Sequence, residues 1–308
     1  MSTVKNYLSL IKFSHTIFAL PFALIGFFLG LFDLHYGEIP FMGRPSPIEE
    51  EGSVLDIFSM NHFYLLLLVL GCMVTARTAA MAFNRYLDRH YDAKNPRTAI
   101  REIPKGIIKP ENALMFTIIN CALFVGITWF INPLCFFLSP VALAVILGYS
   151  YTKRFTPFCH LILGIGLSLA PIGAYLAVTA HFSLLPIFFS LAVICWVSGF
   201  DIIYALQDEE FDRSNELYSI PASLGKPNAL RVSELLHVLS AVFVIVAGWH
   251  GGFGLWYWLG VLIFCGMLIY QHSVVKPNDL SRVNLAFMTA NGIASVVFSI
   301  FVITDLFI

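Results

Sequence analysis

Two acid-rich segments of the sequence carry residue types and spacings that could do chemistry. The first reads NRYLDRHYD and follows a long apolar run. If that run continues as one helix, Asn84, Asp88 and Asp92 recur at every fourth position and line one face. At a rise of about 1.5 Å per residue, this face is ~12 Å long. Oxygen ligands spread over that length suit two hydrated Mg²⁺ ions with a diphosphate between them, and not the tight cage of a lone structural metal.

The second segment, DIIYALQDEEFD, has a similar pattern much farther along the chain. Its carboxylate and phenol side chains are spaced by 3, 4 and 4 residues, and they belong to Asp201, Tyr204, Asp208 and Asp212. The two segments are in a constant register, since 204 − 84, 208 − 88 and 212 − 92 all give 120. This regularity predicts an internal duplication.

The composition predicts an integral membrane protein. Of the 308 residues, 58% are hydrophobic and 12% are charged, and the mean hydropathy is +0.80, which is too apolar for a soluble globule. We expect an all-α bundle, because a membrane barrel would show short alternating segments instead. Nine transmembrane helices are predicted, at roughly 13–32, 62–84, 112–131, 134–151, 159–180, 184–206, 230–249, 254–272 and 284–304.

Each acidic segment follows the second helix of a predicted four-helix half. We therefore expect a single polytopic domain with parallel pseudo-repeats over about 1–155 and 156–275, and an appended ninth helix at about 284–304. Residues 33–60 read as an acidic external loop, to which we assign no chemistry.

The distribution of basic residues predicts the orientation in the membrane. All but two of the 18 Lys and Arg residues fall on the side of the acidic segments, the exceptions being Arg44 and Arg77. Because basic loops stay in the cytoplasm, the amino terminus and both acidic segments are expected there. The carboxyl terminus would lie on the opposite side of the cytoplasmic (inner) membrane.

The acidic segments also predict a cofactor and a class of substrate. Converging carboxylates repel one another unless cations lie between them, and an all-oxygen ligand set favours Mg²⁺ over zinc. Such an ion normally also holds phosphate oxygens. Further countercharge would come from nearby basic residues, namely Arg97, Arg101, Lys153 and Arg154. For Lys153 and Arg154, membrane topology alone is an equally good explanation. A phosphate site at the mouth of an apolar bundle suggests a lipid such as an isoprenyl diphosphate.

Arg77 is unusual because it lies within a predicted span, about 10 Å deeper than Asn84 on the same face. It could form a structural ion pair or anchor a substrate carboxylate. If loss of diphosphate leaves an allylic cation, Tyr204 could stabilise that cation. An aromatic acid held by Arg77 could then attack it, with Asp201 removing the ring proton. The residues alone leave two other classes open, a Mg²⁺-dependent lipid phosphotransferase and a secondary transporter. The expected partners are lipids and small molecules, and no nucleic acid.

The two segments resemble the NxxxDxxxD and YxxxDxxxD signatures of the UbiA superfamily of intramembrane aromatic prenyltransferases, and the resemblance covers nearly the whole chain. It implies that Mg²⁺ and diphosphate are held by Asn84, Asp88, Asp92, Asp208 and Asp212. It also implies that Arg77 lies where the acceptor carboxylate binds, and Asp201 and Tyr204 match family positions as well.

Within that superfamily, the chain looks most like the 4-hydroxybenzoate polyprenyltransferases of ubiquinone biosynthesis. It departs from them where REIPKG and NRYLDR replace sequences nearer to RPLPSG and NDFADR. Both variants are similar to the branch that prenylates a dihydroxynaphthoate in menaquinone synthesis by the futalosine route. The expected donor is therefore a polyprenyl diphosphate, and the acceptor is either 4-hydroxybenzoate or 1,4-dihydroxy-6-naphthoate.

Overall fold

A computed structural model describes residues 3–11, 18–37 and 59–308 of the chain. Within those ranges the regular elements are helices. They are α1 (Thr3–Leu10), α2 (Leu20–Tyr36), α3 (Met60–Leu87), α4 (Arg89–Lys94), α5 (Pro110–Trp129), α6 (Pro133–Thr152), α7 (Cys159–Thr179), α8 (Leu184–Ala205), α9 (Glu209–Ser214), α10 (Ile220–His250), α11 (Leu255–Val274) and α12 (Asn291–Phe307). A 3₁₀ turn, Leu206–Asp208, joins α8 to α9, and a π-helical turn, Leu285–Ala290, leads into α12.

The predicted membrane-spanning architecture is confirmed in outline. In the described ranges, eight helical segments are long and apolar enough to cross a membrane, and α2 adds a shorter apolar helix. The first predicted span begins at residue 13, and residues 13–17 lie outside the described ranges. Large apolar side chains cover the outer surface, including Met60 at 82% exposure, Phe137 at 74% and Ile269 at 71%. Such a surface is stable against lipid and not against water.

Two predicted boundaries were wrong. The predicted external loop, 33–60, includes Asp33 to Tyr36, but these residues form the last turn of α2. Residues 38–58 of that loop lie outside the described ranges. The seventh span was predicted to begin at residue 230, whereas α10 begins at Ile220, where the Ser219 side chain caps the helix by accepting a bond from the Ala222 amide. Gly225, with φ of 74°, is not helical and interrupts α10 near its beginning. The polar sequence around it gave no apolar pattern from which this start could be predicted.

The first acidic segment is not one continuous helix, contrary to the prediction. α3 ends at Leu87, and Asp88 adopts φ −87° and ψ 4° before α4 begins. The second segment breaks at the matching position, where Asp208 has φ −105° and ψ 4°. These angles lie near the sparsely populated bridge region, which ends a regular helix. The carboxylates on either side of each break therefore do not share one straight face. The matching breaks support the predicted duplication, which stays a prediction.

Aromatic side chains form the centre of the main core. Phe22, Trp196, Phe264 and Phe298 are all less than 2% exposed, and the ring centroids of Phe22 and Trp196 lie 5.2 Å apart. Close helix packing flanks this core where α2 crosses α7. A Cβ on Gly26 would come within 1.9 Å of the Pro171 carbonyl oxygen, so only glycine permits this approach. The dense packing fixes α7 and α8, which present residues to the site described next.

Candidate active site

An apolar cavity of about 390 Å³ lies mainly between α3, α6 and α7, with α5 contributing to its wall. Aliphatic side chains and small residues line most of it, including Gly166 and Gly173 of α7. Two of its lining residues, Arg77 and Tyr149, lie toward the acidic segments. Arg77 precedes Asn84 on α3 by about two turns, and Tyr149 lies about one turn before the end of α6. The apolar cavity therefore extends toward the acidic segments, although none of their side chains lines it.

Arg77 lies in the wall of this cavity, and no acidic residue in the described ranges pairs with it. Its Nε is buried and has no hydrogen-bond partner among the described residues, and none of the ion pairs found in those residues includes it. A guanidinium in an apolar wall is costly unless an anionic group binds there. Of the two interpretations of Arg77, this geometry favours a ligand anchor over a structural ion pair.

Basic side chains accompany both carboxylates of the first acidic segment. The Asn84 amide donates to Asp88 Oδ2 at 3.0 Å, and Arg154 donates to Asp88 Oδ1, also at 3.0 Å. Burial raises the pKa of Asp88 to about 6, although Arg154 opposes the shift. Arg101 donates to Asp92 Oδ1 at 2.6 Å. The other oxygen, Asp92 Oδ2, is buried and has no hydrogen-bond partner in the described part of the chain.

The second acidic segment is held by residues from three parts of the chain. Arg97 bonds to both carboxylate oxygens of Asp208, with an Nε to Oδ1 distance of 3.0 Å, and the Asn95 amide reaches the same Oδ1, also at 3.0 Å. Asp212 Oδ1 lies 2.7 Å from Lys153 Nζ, and Asp212 Oδ2 accepts a bond from the Ser219 hydroxyl at 3.0 Å. Burial alone would lower the pKa of Lys153, but its pairing with Asp212 raises that pKa overall.

These contacts bring the two distant acidic segments to one place. Arg97 follows the first segment in sequence, but it pairs with Asp208 of the second. The consecutive residues Lys153 and Arg154 divide between the segments, because Lys153 pairs with Asp212 and Arg154 with Asp88. A single polar mouth, built from both halves of the chain, follows from this arrangement.

The carboxylates are gathered at this mouth, but each turns toward its own basic partner. Over the described ranges, no three His, Cys, Asp or Glu side chains form a group that could hold a metal ion as they stand. The donor chemistry nevertheless fits Mg²⁺, because the predicted ligands are all oxygen atoms and Asp92 Oδ2 is a buried oxygen with a free lone pair. The basic side chains among them add sites for phosphate oxygens.

Asp201 and Tyr204 lie on the last turns of α8, immediately before the second break. The Tyr204 hydroxyl accepts a bond from Arg97 Nη1 at 2.9 Å, and the Arg97 guanidinium lies 5.1 Å from the centre of the Tyr204 ring. The same ring packs on Phe287 with centroids 4.3 Å apart. The side chain of Asp201 is 24% exposed and bonds through one oxygen to His160. Tyr204 is therefore fixed from two sides, and the Asp201 side chain stays partly exposed.

Sequence reasoning missed three residues whose side chains hydrogen-bond to carboxylates of the predicted site. Asn95 bonds to Asp208, Ser219 bonds to Asp212, and His160 bonds to Asp201. Asn95 and Ser219 are residue types typical of turns and helix caps, so nothing in the sequence indicated their hydrogen bonds to the carboxylates. His160 offered a usable signal, because an ionisable residue in a predicted span is a functional candidate.

The described residues combine a mouth of carboxylates and basic side chains with an apolar cavity. Such an arrangement can bind an amphiphile with an anionic head. Comparison with known sequences makes the class specific. The model of the UbiA prenyltransferase family matches residues 53–293, and the chain belongs to this family. It is therefore a membrane prenyltransferase, which sets aside the phosphotransferase and transporter alternatives.

Individual relatives agree with this assignment. The chain is 28% identical over 234 residues to a 4-hydroxybenzoate octaprenyltransferase of Aeromonas salmonicida, covering 76% of this chain and 80% of the relative. It is 29% identical over 244 residues to the protein of the same name from Francisella tularensis subsp. mediasiatica, covering 78% and 84%.

Solved structures show the same fold. A UbiA homolog from Aeropyrum pernix K1 superposes with a TM-score of 0.72 at 28% identity, covering 94% of this chain and 95% of that one. A UbiA homolog from Archaeoglobus fulgidus bound to DMAPP and Mg²⁺ gives a TM-score of 0.65 at 19% identity, covering 98% and 99%.

Proposed function

We propose that this enzyme transfers a polyprenyl group from a polyprenyl diphosphate to a ring carbon of a carboxylated hydroxy-aromatic acceptor, in a Mg²⁺-dependent step of respiratory quinone biosynthesis. The observation that carries the proposal is the combination of a basic, carboxylate-rich mouth with an apolar cavity that has Arg77 in its wall and extends toward that mouth along α3 and α6. The mouth suits a diphosphate, and the cavity suits its hydrocarbon chain. The names of the Aeromonas and Francisella relatives, and the DMAPP and Mg²⁺ bound to the Archaeoglobus homolog, support it.

The proposed roles follow from charge and position. Mg²⁺ would be held by the oxygen-bearing side chains Asn84, Asp88, Asp92, Asp208 and Asp212. When bound, it neutralises the charge that develops on the departing diphosphate. The diphosphate oxygens would bind the basic side chains Arg97, Arg101, Lys153 and Arg154. These ion pairs between acidic and basic side chains would then give way to contacts with metal and phosphate.

The remaining residues act on the hydrocarbon and the acceptor. The electron-rich ring of Tyr204 stabilises the allylic cation. Arg77 binds the acceptor carboxylate and orients the ring toward that cation. Asp201 takes the proton from the ring carbon that has formed the new bond.

The acceptor is either 4-hydroxybenzoate or 1,4-dihydroxy-6-naphthoate, and both carry the carboxylate that Arg77 requires. Membranes containing the protein, supplied with Mg²⁺ and geranyl diphosphate, should form a ring-prenylated product with one of them. Membranes from cells lacking the protein provide the control. Absence of product with both acceptors, in membranes where the protein is folded, would refute the proposed function.

Replacing Arg77 with Gln should raise the KM for the acceptor by roughly 10- to 100-fold, because a charge-assisted hydrogen bond contributes about 1.5–3 kcal/mol. The KM for the prenyl donor should change little, because the donor has no carboxylate that Arg77 could bind. Steady-state kinetics with each substrate varied in turn measures both effects. Met73→Leu, in the same cavity wall, is the matched control and should leave both KM values near native. Equal effects of Arg77→Gln on donor and acceptor would indicate a structural role instead.

We further propose that the chain is one polytopic domain of two parallel pseudo-repeats in the cytoplasmic membrane, with the mouth and the amino terminus in the cytoplasm. The asymmetry of Lys and Arg residues supports this orientation. A single cysteine placed at the exposed Lys105, in a cysteine-free background, should react with a membrane-impermeant maleimide in inside-out vesicles. Labelling only in right-side-out vesicles would reverse the proposed orientation.

A further inference from the structure

His160 is a buried ionisable residue to which none of the roles above is assigned. It lies in the first turn of α7 and is 2% exposed. Its Nδ1 lies 2.7 Å from Asp201 Oδ2 on α8. Few side chains of this kind are buried inside a membrane protein without a specific partner, and the partner here is the residue proposed to take the ring proton.

The hydrogen bonds around His160 favour one assignment of its ring proton. The backbone N–H of Ile220 donates to Nε2 at 3.4 Å. Ile220 is the first residue of α10, so its amide has no acceptor within that helix. An imidazole nitrogen that accepts a hydrogen bond carries no proton, so this contact places the ring proton on Nδ1. His160 consequently donates from Nδ1 to the Asp201 carboxylate.

The ring of His160 is also held firmly in place. The backbone carbonyl of His160 accepts a hydrogen bond from the Ser198 hydroxyl of α8 at 3.1 Å. The ring Nε2 accepts a hydrogen bond from the first residue of α10. Contacts with α8 and α10 thus fix both the position and the tautomer of the ring. His160 binds Oδ2 of Asp201, and the Asp201 side chain as a whole is 24% exposed. We infer that this exposure belongs to the other oxygen, Oδ1.

We propose that His160 is a positioning residue, which holds Asp201 in the orientation needed to remove the ring proton. This inference rests on the proposed function and extends its site by one residue. The logic is that of a histidine–carboxylate pair in which one partner fixes the other and does not itself react.

The step can be written with its atoms and electrons. The bond from the prenyl C1 to the diphosphate oxygen breaks, and its electron pair leaves with the diphosphate. A pair of ring electrons forms the new bond from the ring carbon to C1, which leaves a cationic ring with hydrogen still on that carbon. The accessible oxygen of Asp201 takes this proton, and the C–H electron pair returns to the ring. Asp201 then releases the proton to water at the mouth, and His160 keeps its Nδ1 proton throughout.

Two substitutions distinguish a role of His160 in positioning Asp201 from a role in capping α10 alone. His160→Asn keeps a donor at the place of Nδ1 but cannot accept from the Ile220 amide. His160→Gln keeps an acceptor near that amide but loses the donor to Asp201. The inference predicts that His160→Gln lowers kcat by roughly 10- to 100-fold, a share of the 10²–10⁴-fold that a general base contributes, with the KM of donor and acceptor unchanged. His160→Asn should stay close to the native kcat.

A kinetic isotope effect provides a readout that a structural role would not change. With an acceptor deuterated at the reacting ring carbon, native enzyme should show little effect on kcat, because proton removal from the cationic ring is fast. In His160→Gln proton removal becomes slow, and the isotope effect should rise. Combining His160→Gln with Asp201→Asn should cost no more than Asp201→Asn alone, because the two residues act as one unit.

The outcomes distinguish this inference from the proposed function. If native protein forms no product with either acceptor, the proposed function fails and the inference fails with it. If native protein is active but His160→Gln keeps native kcat, or His160→Asn is the more damaging substitution, the inference alone is overturned. Thermal unfolding of each variant in detergent shows that the protein compared is folded. An unchanged isotope effect in a slow, folded His160→Gln variant would also overturn it.

Discussion

Replacing Asp208 with Asn is expected to lower prenyl transfer by roughly 10³-fold or more while the protein still folds into the membrane. Asp208 is 8% exposed and receives hydrogen bonds from Arg97 and Asn95. Asn keeps the volume and one oxygen, so packing is largely retained. It removes the negative charge that the proposed site uses to bind Mg²⁺, and the departing diphosphate then loses its main countercharge. Asp88→Asn should have a similar effect, since Asp88 occupies the matching place in the first segment.

A matched control is available in the same stretch of chain. Glu210 follows Asp208 by two residues and is exposed, so Glu210→Gln removes a nearby acidic charge without touching the proposed ligands. This variant should retain near-native turnover. Initial rates of product formation, with the amount of folded protein measured by gel filtration and thermal unfolding, provide the comparison. Near-native activity in either Asp88→Asn or Asp208→Asn would refute a site built from both acidic segments.

Removing divalent metal is expected to stop turnover completely and reversibly. The proposed ligands are carboxylate and amide oxygens, which bind Mg²⁺ and hold it loosely enough for a chelator to compete. EDTA should bring product formation to background, and excess Mg²⁺ should restore it. Zn²⁺ should restore it poorly, because zinc prefers nitrogen and sulfur ligands that these two segments do not supply.

The metal requirement can also be linked to particular residues. In Asp92→Asn, the Mg²⁺ concentration that gives half-maximal activity should rise, because the buried oxygen Asp92 Oδ2 is one of the proposed ligands. The Glu210→Gln control should keep the native Mg²⁺ requirement. Activity that EDTA leaves undisturbed would exclude a metal-dependent mechanism for this protein.

Most of the fold could be predicted from the sequence, because a bilayer imposes strong constraints. Long apolar runs with few charges have to form helices, and their lengths follow from the thickness of the membrane. The predicted spans 159–180 and 184–206 are close to the observed helices Cys159–Thr179 and Leu184–Ala205. The break at Asp88 was missed because it depends on one residue's backbone angles, to which the hydrophobic pattern is insensitive.

The candidate site was predicted in part. The constant separation of the two acidic segments predicted a duplication, and the basic residues predicted that both segments lie on one side of the membrane. Both segments do lie at one mouth, where Arg97 joins them. The individual pairings, such as Lys153 with Asp212 and Arg154 with Asp88, depend on how α6 meets α3 and α9. Spacing along the chain contains no information about such contacts. His160 was missed for the same reason, since only the packing of α7 on α8 places it beside Asp201.

The most direct test of the central claim uses purified protein in lipid nanodiscs with geranyl diphosphate, Mg²⁺ and the acceptor that gives product in membranes. Diphosphate release and ring-prenylated product should be measured in the same reaction. The proposed mechanism predicts that both appear at equal rates, that neither appears without acceptor or Mg²⁺, and that both fall together in Asp208→Asn. Diphosphate release without a prenylated ring, or product formation that persists in Asp208→Asn, would contradict it.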